Sequence, residues 1–265
     1  MIVGAFAMSH VLGAPDGVEE RAERVFAGMQ EIGRRIRALA PTLIVMLTSD
    51  HLNNFSLEKP APFAIGTAAT FTPYGDMGLP REPFAGDAVF ASGLIDFAAE
   101  RGIPIAATDP LAPDHGVMIP LGIVDPRRTI PAVPLYVNTV FDPAPSSADS
   151  WRLGEALRAF AEHEGRVVLL AGGGLSHWLG VPEEGRVNEA WDQAFLNDLL
   201  GGRGKALAAL TNAEILRDAG NGGLEVNAWI ALAGALPAGA TGECLFYEAM
   251  PEWASGMAGV EMWVA

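Results

Sequence analysis

The chain has 265 residues, half of them apolar, enough for one large α/β domain with a sizeable core. Lys and Arg number 17 against 32 Asp and Glu, and the resulting net charge of −15 argues against nucleic acid as a partner, because phosphate binding needs clustered cations. Cys244 stands alone, which excludes an internal disulfide and a thiolate metal cluster and fits a cytoplasmic location.

The opening IVGAFAM lacks a basic leader, and no window reaches the roughly 18 to 20 apolar residues of a membrane span, so it reads as a buried first strand. Residues 18 to 39 follow a helical period: Val25, Met29, Ile32, Ile36 and Leu39 form an apolar face, while Glu19, Glu20, Arg24, Arg34 and Arg35 face water. Pro41 ends that helix. TLIVMLT, IPIAAT, AVPLYVNTV and RVVLLAG read as strands, and AVFASGLIDFAAERG and SWRLGEALRAFAEHEG have the helical period. FDPAPSSADS, residues 141 to 150, is a loop into a helix starting near Ser150. Beyond residue 180 come the helical VNEAWDQAFLNDLLGG, TNAEILRDAG and LEVNAWIALAGAL, then a strand-like pair, ECLFYEAM and VEMWVA. The expectation is a single α/β domain over residues 1–265, its central sheet mostly parallel or mixed and flanked by helices, with the active site at the strand carboxyl ends.

Four of the five histidines follow apolar runs at predicted strand ends: His10 after VGAFAMS, His51 after LIVMLTSD, His115 in PDHG and His177 after VVLLAGGGLS. Loops leaving strand carboxyl ends line the ligand crevice of an open α/β sheet, so four imidazoles are expected to converge. His163, beside Glu162 and Glu164 at a polar helix end, is read as structural. Two imidazoles and one carboxylate on one face of an iron(II) ion leave positions open for substrate and dioxygen, and the same donors suit zinc. Asp50 and Asp114 each precede a histidine and serve either as ligands or as acceptors that fix a ring tautomer. Glu225, at an apolar helix start, is either a ligand or a partner of the helix dipole.

Gly172, Gly173 and Gly174 do not belong to G-x-G-x-x-G, no Lys-Ser/Thr follows, and Ser176 is not in G-x-S-x-G. The run is therefore a tight turn in which backbone approaches closely and a Cβ does not fit. Arg127 and Arg128 in DPRRT read as a surface turn rather than a carboxylate anchor.

Taken together, SH at 9 to 10, SDHLNNF at 49 to 55, FAIGTAATF at 63 to 71, PDHG at 113 to 116, YVNTV at 136 to 140, GGGLSH at 172 to 177, NEAWDQAFL at 188 to 196 and GGLEVNAWIALAGAL at 222 to 236 resemble the class III extradiol ring-cleavage dioxygenases. That family contains the protocatechuate 4,5-dioxygenase catalytic subunit and the dihydroxyphenylpropionate-cleaving enzyme, and the resemblance spans nearly the whole chain. It implies iron(II) held by His10, His51 and Glu225, with His177 as acid/base and His115 as a second catalytic or substrate-orienting group. Asp50, Asp114, Asn138 and Trp178 become supporting or crevice-lining residues. The implied reaction is extradiol cleavage by dioxygen of a small catechol-like aromatic or heteroaromatic ring. The implied assembly is a homo-oligomer that either stands alone or works with a separate small lid subunit like that of the protocatechuate enzyme, nothing in these 265 residues resembling that subunit. Two other readings are a zinc-type hydrolase on the same ligands and a non-catalytic interaction module of the same fold.

Overall fold

The computed structural model describes every residue except Val11, residues 56–60, Pro143 and Ala265. From the N-terminus, β1 (Ile2–Met8) leads to α1 (Glu19–Ala38) and β2 (Leu43–Thr48), followed by β3 (Phe63–Gly66), the short pair β4 (Thr70–Phe71) and β5 (Phe84–Ala85), and α2 (Ala88–Ala99). The chain continues through β6 (Ala106–Thr108), α3 (His115–Val124), β7 (Ala132–Val137), α4 (Ser147–Ala161) and β8 (Val167–Ala171). The last third holds α5 (Glu189–Leu200), α6 (Gly204–Leu207), α7 (Asn212–Ala219), α8 (Val226–Gly234) and the hairpin β9 (Gly242–Met250) and β10 (Ser255–Met262).

One mixed eight-stranded sheet has the order β6-β3-β7-β2-β8-β1-β10-β9. Its centre, β7-β2-β8-β1, is parallel. Those four strands are unbroken apolar runs because both faces of the sheet are covered. Alternate side chains divide between two cores: Phe6, Met8, Ile44, Met46, Val168 and Leu170 pack toward α1 and α3. Ala5, Ala7, Val45, Leu47 and Leu169 pack toward α2, α4, α5 and α8. With the strands parallel, the carboxyl ends of β1, β2, β7 and β8 open at one edge, and there the chain turns through Ser9, Ser49, Asn138 and Gly172.

The apolar face expected of residues 18 to 39 is buried at Val25, Met29, Ile32 and Ile36. Leu39 is half-buried, because it caps the helix and is followed by Ala40 at φ 45° and then Pro41. Helix α4 starts at Ser147 rather than near Ser150. The reason is a capping box: the Ser146 hydroxyl accepts from the Asp149 amide while the Asp149 carboxylate accepts from the Ser146 amide. Arg127 lies in an exposed turn, and Arg128 pairs with Glu82. Among the described residues no helix is long and apolar enough to cross a membrane.

Helices α4 and α8 meet backbone to backbone. A Cβ on Gly154 would lie 2.0 Å from the Ala231 carbonyl oxygen, and one on Gly234 would lie 2.3 Å from that of Trp151. Gly154→Ala must therefore push α8 away from α4, at a cost of about 1–3 kcal/mol. The expected outcome is a melting temperature lower by roughly 2–4 °C per kcal/mol; an unchanged melting temperature would show that this contact yields freely.

Candidate active site

His10 lies two residues beyond β1, His51 three beyond β2 and His177 six beyond β8, all at the open edge. His115 arrives differently from the sequence expectation of a strand end. β6 is parallel to β3, which is antiparallel to β7, so β6 points away from this edge and His115 is the first residue of α3. Glu225 closes a 3₁₀ turn, Gly222–Glu225, that runs directly into α8.

These residues meet. His10 Nε2 lies 3.1 Å from His51 Nε2, which is 3.1 Å from Glu225 Oε1; the third edge, His10 Nε2 to Glu225 Oε1, is 3.7 Å. Two donors bound side by side to one ion at about 2.1 Å each stand about 3 Å apart, so this triangle fits three neighbouring positions around a divalent metal. His115 lies tilted at 37° against His51, 3.9 Å between centroids, and one ring nitrogen from each of His10, His51 and His115 falls within 4.8 Å of the others. His177 Nε2 is 3.6 Å from Glu225 Oε2. The Leu175 carbonyl, 3.0 Å from His177 Nδ1, accepts a hydrogen bond from that nitrogen and leaves Nε2 with its lone pair toward the centre.

Each imidazole is held from behind. Asp114 Oδ1 caps α3 through the Gly116 amide, and its Oδ2 accepts from the His51 amide at 2.9 Å, His51 Nδ1 at 3.2 Å and Asn53 Nδ2 at 3.1 Å. His51 Nδ1 thereby donates to Asp114, and Nε2 faces the cluster. Asp50 instead builds its own loop, accepting the amides of Asn53, Asn54 and Phe55. Asn138 closes the turn after β7 through the Val140 and Phe141 amides. Trp178 packs on Gly220 beneath the Arg186 guanidinium. Exposed His163 lies far along the chain from this edge, at the end of α4.

The glycine run does what close approach requires. A Cβ on Gly172 would come 3.1 Å from His10 Nδ1, one on Gly173 2.7 Å from the Glu225 Cβ, and one on Gly174 2.8 Å from His177 Nδ1. Gly173 also has φ 115°, outside the range of ordinary side chains, and its amide donates to His10 Nδ1 at 2.9 Å.

Two carboxylates escaped the sequence reading. Asp76 Oδ2 lies 2.5 Å from His115 Nδ1, on a turn where Gly75, Met77 and Gly78 all have positive φ. YGDMG, an acid between glycines, was the available signal. Asp192, inside the NEAWDQAFL segment, is fully buried in α5. It accepts from the Ser176 amide at 2.8 Å, the Ser176 hydroxyl at 3.0 Å and the Tyr247 hydroxyl at 2.9 Å, and so grips the residue before His177.

Burial lowers His10 to about 3 and keeps it neutral. Burial also opposes a charge on His51, but the hydrogen bonds and charges of Asp114 and Glu225 outweigh it and raise the ring to about 10. Asp114, for which burial works against ionisation, is brought down to about 2 by His51 and Asn53. Burial likewise opposes ionisation of Glu225, yet the facing imidazoles hold it well below the usual carboxylate range. The metal-free cluster thus keeps both carboxylates ionised and His10 neutral, while His51 carries a proton that a bound cation would have to displace.

A parallel-centred sheet with imidazoles and a carboxylate gathered at its open edge is the architecture of an α/β enzyme with a candidate metal centre. The family described as the catalytic LigB subunit of aromatic ring-opening dioxygenase matches residues 4–258, and the chain belongs to that family of extradiol ring-cleaving enzymes, which use a catalytic metal. It is 31% identical to the 2,3-dihydroxyphenylpropionate/2,3-dihydroxicinnamic acid 1,2-dioxygenase of Cupriavidus necator, with 92% of this chain and 91% of that one covered. Identity to the enzyme of the same name from Burkholderia vietnamiensis is 32%, covering 92% and 90%, and to that from Escherichia coli 26%, covering 94% of each. The crystal structure of an uncharacterised Escherichia coli K12 protein shares the fold, with a TM-score of 0.62 and 16% identity over 98% of this chain and 99% of the other.

Burial pushes the Asp192 carboxyl up to about 6 from its usual 3.8. The folded chain therefore binds this proton more tightly than the unfolded chain, and the stability so contributed, full below 3.8, is lost as pH rises through about 6. Relative to Asp192→Asn, wild-type stability should fall by about 2–3 kcal/mol between about pH 4 and about pH 7. Urea unfolding of both proteins checks this, and a pH-independent difference would contradict it.

Proposed function

We propose that His10, His51 and Glu225 hold one iron(II) ion and that the enzyme cleaves a small catechol-like ring with dioxygen, next to rather than between its two hydroxyls. The observation that carries the reading is the triangle of donor atoms with edges of 3.1, 3.1 and 3.7 Å. Two neutral nitrogens and one carboxylate on a single face is the donor set of non-haem iron oxygenases. Such an ion, when bound, brings ring and dioxygen together and passes electron density from one to the other.

The remaining work falls to this chain's own groups. His177 Nε2, its lone pair set by the Leu175 carbonyl, takes the proton of a substrate hydroxyl and returns it to the oxygen that departs as the O–O bond breaks, both oxygen atoms ending in the ring-opened product. His115, tethered by Asp76 and packed against the His51 ring, polarises the opposite side of the substrate ring. Buried Trp178, next to His177, keeps water from that side. Asp114 preserves the orientation of His51 through the reaction. The lone cysteine supports action in the cytoplasm, where thiols stay reduced, and we propose that the enzyme is a homo-oligomer.

Anaerobic loading with iron(II) followed by oxygen should give oxygen uptake and a yellow ring-opened product from a catechol; zinc loading should give neither. His10→Ala and Glu225→Ala should purify with little iron after the same loading, and near-normal iron in either would remove that residue from the ligand set. His177→Ala should keep its iron and substrate affinity and lose about two to four orders of magnitude in turnover. Wild-type turnover in that variant would end the acid/base assignment.

A further inference from the structure

His177 ends a three-residue segment, Leu175 to His177, whose backbone polar groups are all taken up. The Leu175 amide donates to the Gly256 carbonyl at 3.1 Å and the Gly256 amide to the Ser176 carbonyl at 3.0 Å. The His177 amide donates to the Ala219 carbonyl at 2.8 Å, and the His177 carbonyl accepts from the Gly222 amide at 3.2 Å. The Leu175 carbonyl faces His177 Nδ1. Of the three amides, that of Ser176 alone turns to a side chain, Asp192 Oδ1 at 2.8 Å. Complete pairing of buried backbone groups holds a segment in one place, and here one strut of that frame is a replaceable group.

Stability does not account for an acid at this post. Asp192 is fully buried, and its hydrogen-bond partners are neutral donors rather than a cation, which makes its charge a burden on the fold. What the carboxylate supplies is geometry. Its two oxygens meet the Ser176 amide and hydroxyl at once, and that hydroxyl, which accepts from the Asn188 amide at 2.7 Å, points its proton to Asp192 Oδ2 at 3.0 Å. Tyr247 of β9 donates to the same oxygen at 2.9 Å. Gly256 of β10 keeps the space clear, since a Cβ there would stand 2.0 Å from Oδ2.

The aim of the His177 ring follows the segment that carries it. The acceptor of Nδ1, the Leu175 carbonyl, belongs to the same segment, so a shift of the Ser176 peptide moves ring and acceptor together and the ring's own hydrogen bond does not correct it. Building on the acid/base role of His177 in the proposed reaction, we propose that Asp192 is the positioning residue of the proton transfer. It fixes the Ser176 peptide so that His177 Nε2 meets the substrate hydroxyl, and it serves turnover rather than the binding of metal or ring.

The test uses the iron-loaded enzyme with whichever of catechol and 2,3-dihydroxyphenylpropionate the wild type cleaves faster, and reads kcat, iron content and the anaerobic Kd of the ring. Asp192→Ala should lose about ten- to a hundredfold in kcat, the effect of moving a reacting group by up to about 1 Å, with iron content and Kd close to wild type. Asp192→Asn, which still accepts from the Ser176 amide, should be about fivefold or more faster than Asp192→Ala. Ser176→Ala loses only the hydroxyl bridge; it should fall about three- to tenfold in kcat and carries the test if Asp192→Ala does not fold. On a His177→Ala background neither substitution should lower turnover further, because the group they position is gone. Losses that multiply with that of His177→Ala, a Kd that weakens as much as kcat falls, or wild-type kcat in the folded variants would overturn this inference alone. A loaded wild type that cleaves neither ring would overturn the proposed function and this inference with it.

Discussion

The site depends on a buried negative charge. Glu225 is 5% exposed at the head of α8, and its carboxylate accepts from the Ser49 hydroxyl, from His51 Nε2 at 3.1 Å and from the Gly174 amide at 2.9 Å. A carboxylate withdrawn from water is tolerated only when its oxygens are paired, and here the partners come from two separate strand-end loops. The same bonds that satisfy the charge therefore join the β2 and β8 loops to the helix packed beneath the sheet. Gly154 and Gly234 let α8 lie close enough against α4 to fix where that carboxylate stands.

The histidines repeat one arrangement on different supports. His51 is backed by Asp114, His115 by Asp76, and His177 through Ser176 by Asp192. In each case an acidic group fixes a ring, or the backbone carrying it, from the side away from the centre. Part of the acidic excess of this chain is thus employed behind its imidazoles rather than on its surface. Burial and charge set the difference between rings: buried His10, with no carboxylate at its back, stays neutral, whereas His51 between two carboxylates holds its proton.

Much of this was legible in the order of residues. Unbroken apolar runs marked β1, β2, β7 and β8 because central parallel strands are buried on both faces, and the loops leaving such strands necessarily gather at one edge. His10, His51 and His177 were readable for that reason. His115 was placed on the right edge for the wrong cause: the direction of the three-residue strand β6 is set by its pairing with β3, which no local pattern encodes. Asp76 and Asp192 were hidden for a related reason. Their partners lie 39 and 16 residues away, and only the folded chain brings those atoms within hydrogen-bond distance.

Glycine has the opposite standing, because its meaning is local and spatial at once. The run Gly172, Gly173, Gly174 announces a turn in the sequence, but each position is small for a different neighbour: His10, Glu225 and His177 in order. Gly222 completes the set, since a Cβ there would stand 2.0 Å from His177 Nε2. An alanine at any of these four places would not merely stiffen a loop; it would contest space with a ring or carboxylate whose position the chemistry requires. The absence of side chains at the strand end is therefore as much a part of the site as the imidazoles, and it explains how three loops and a helix terminus can crowd within about one metal coordination sphere of each other.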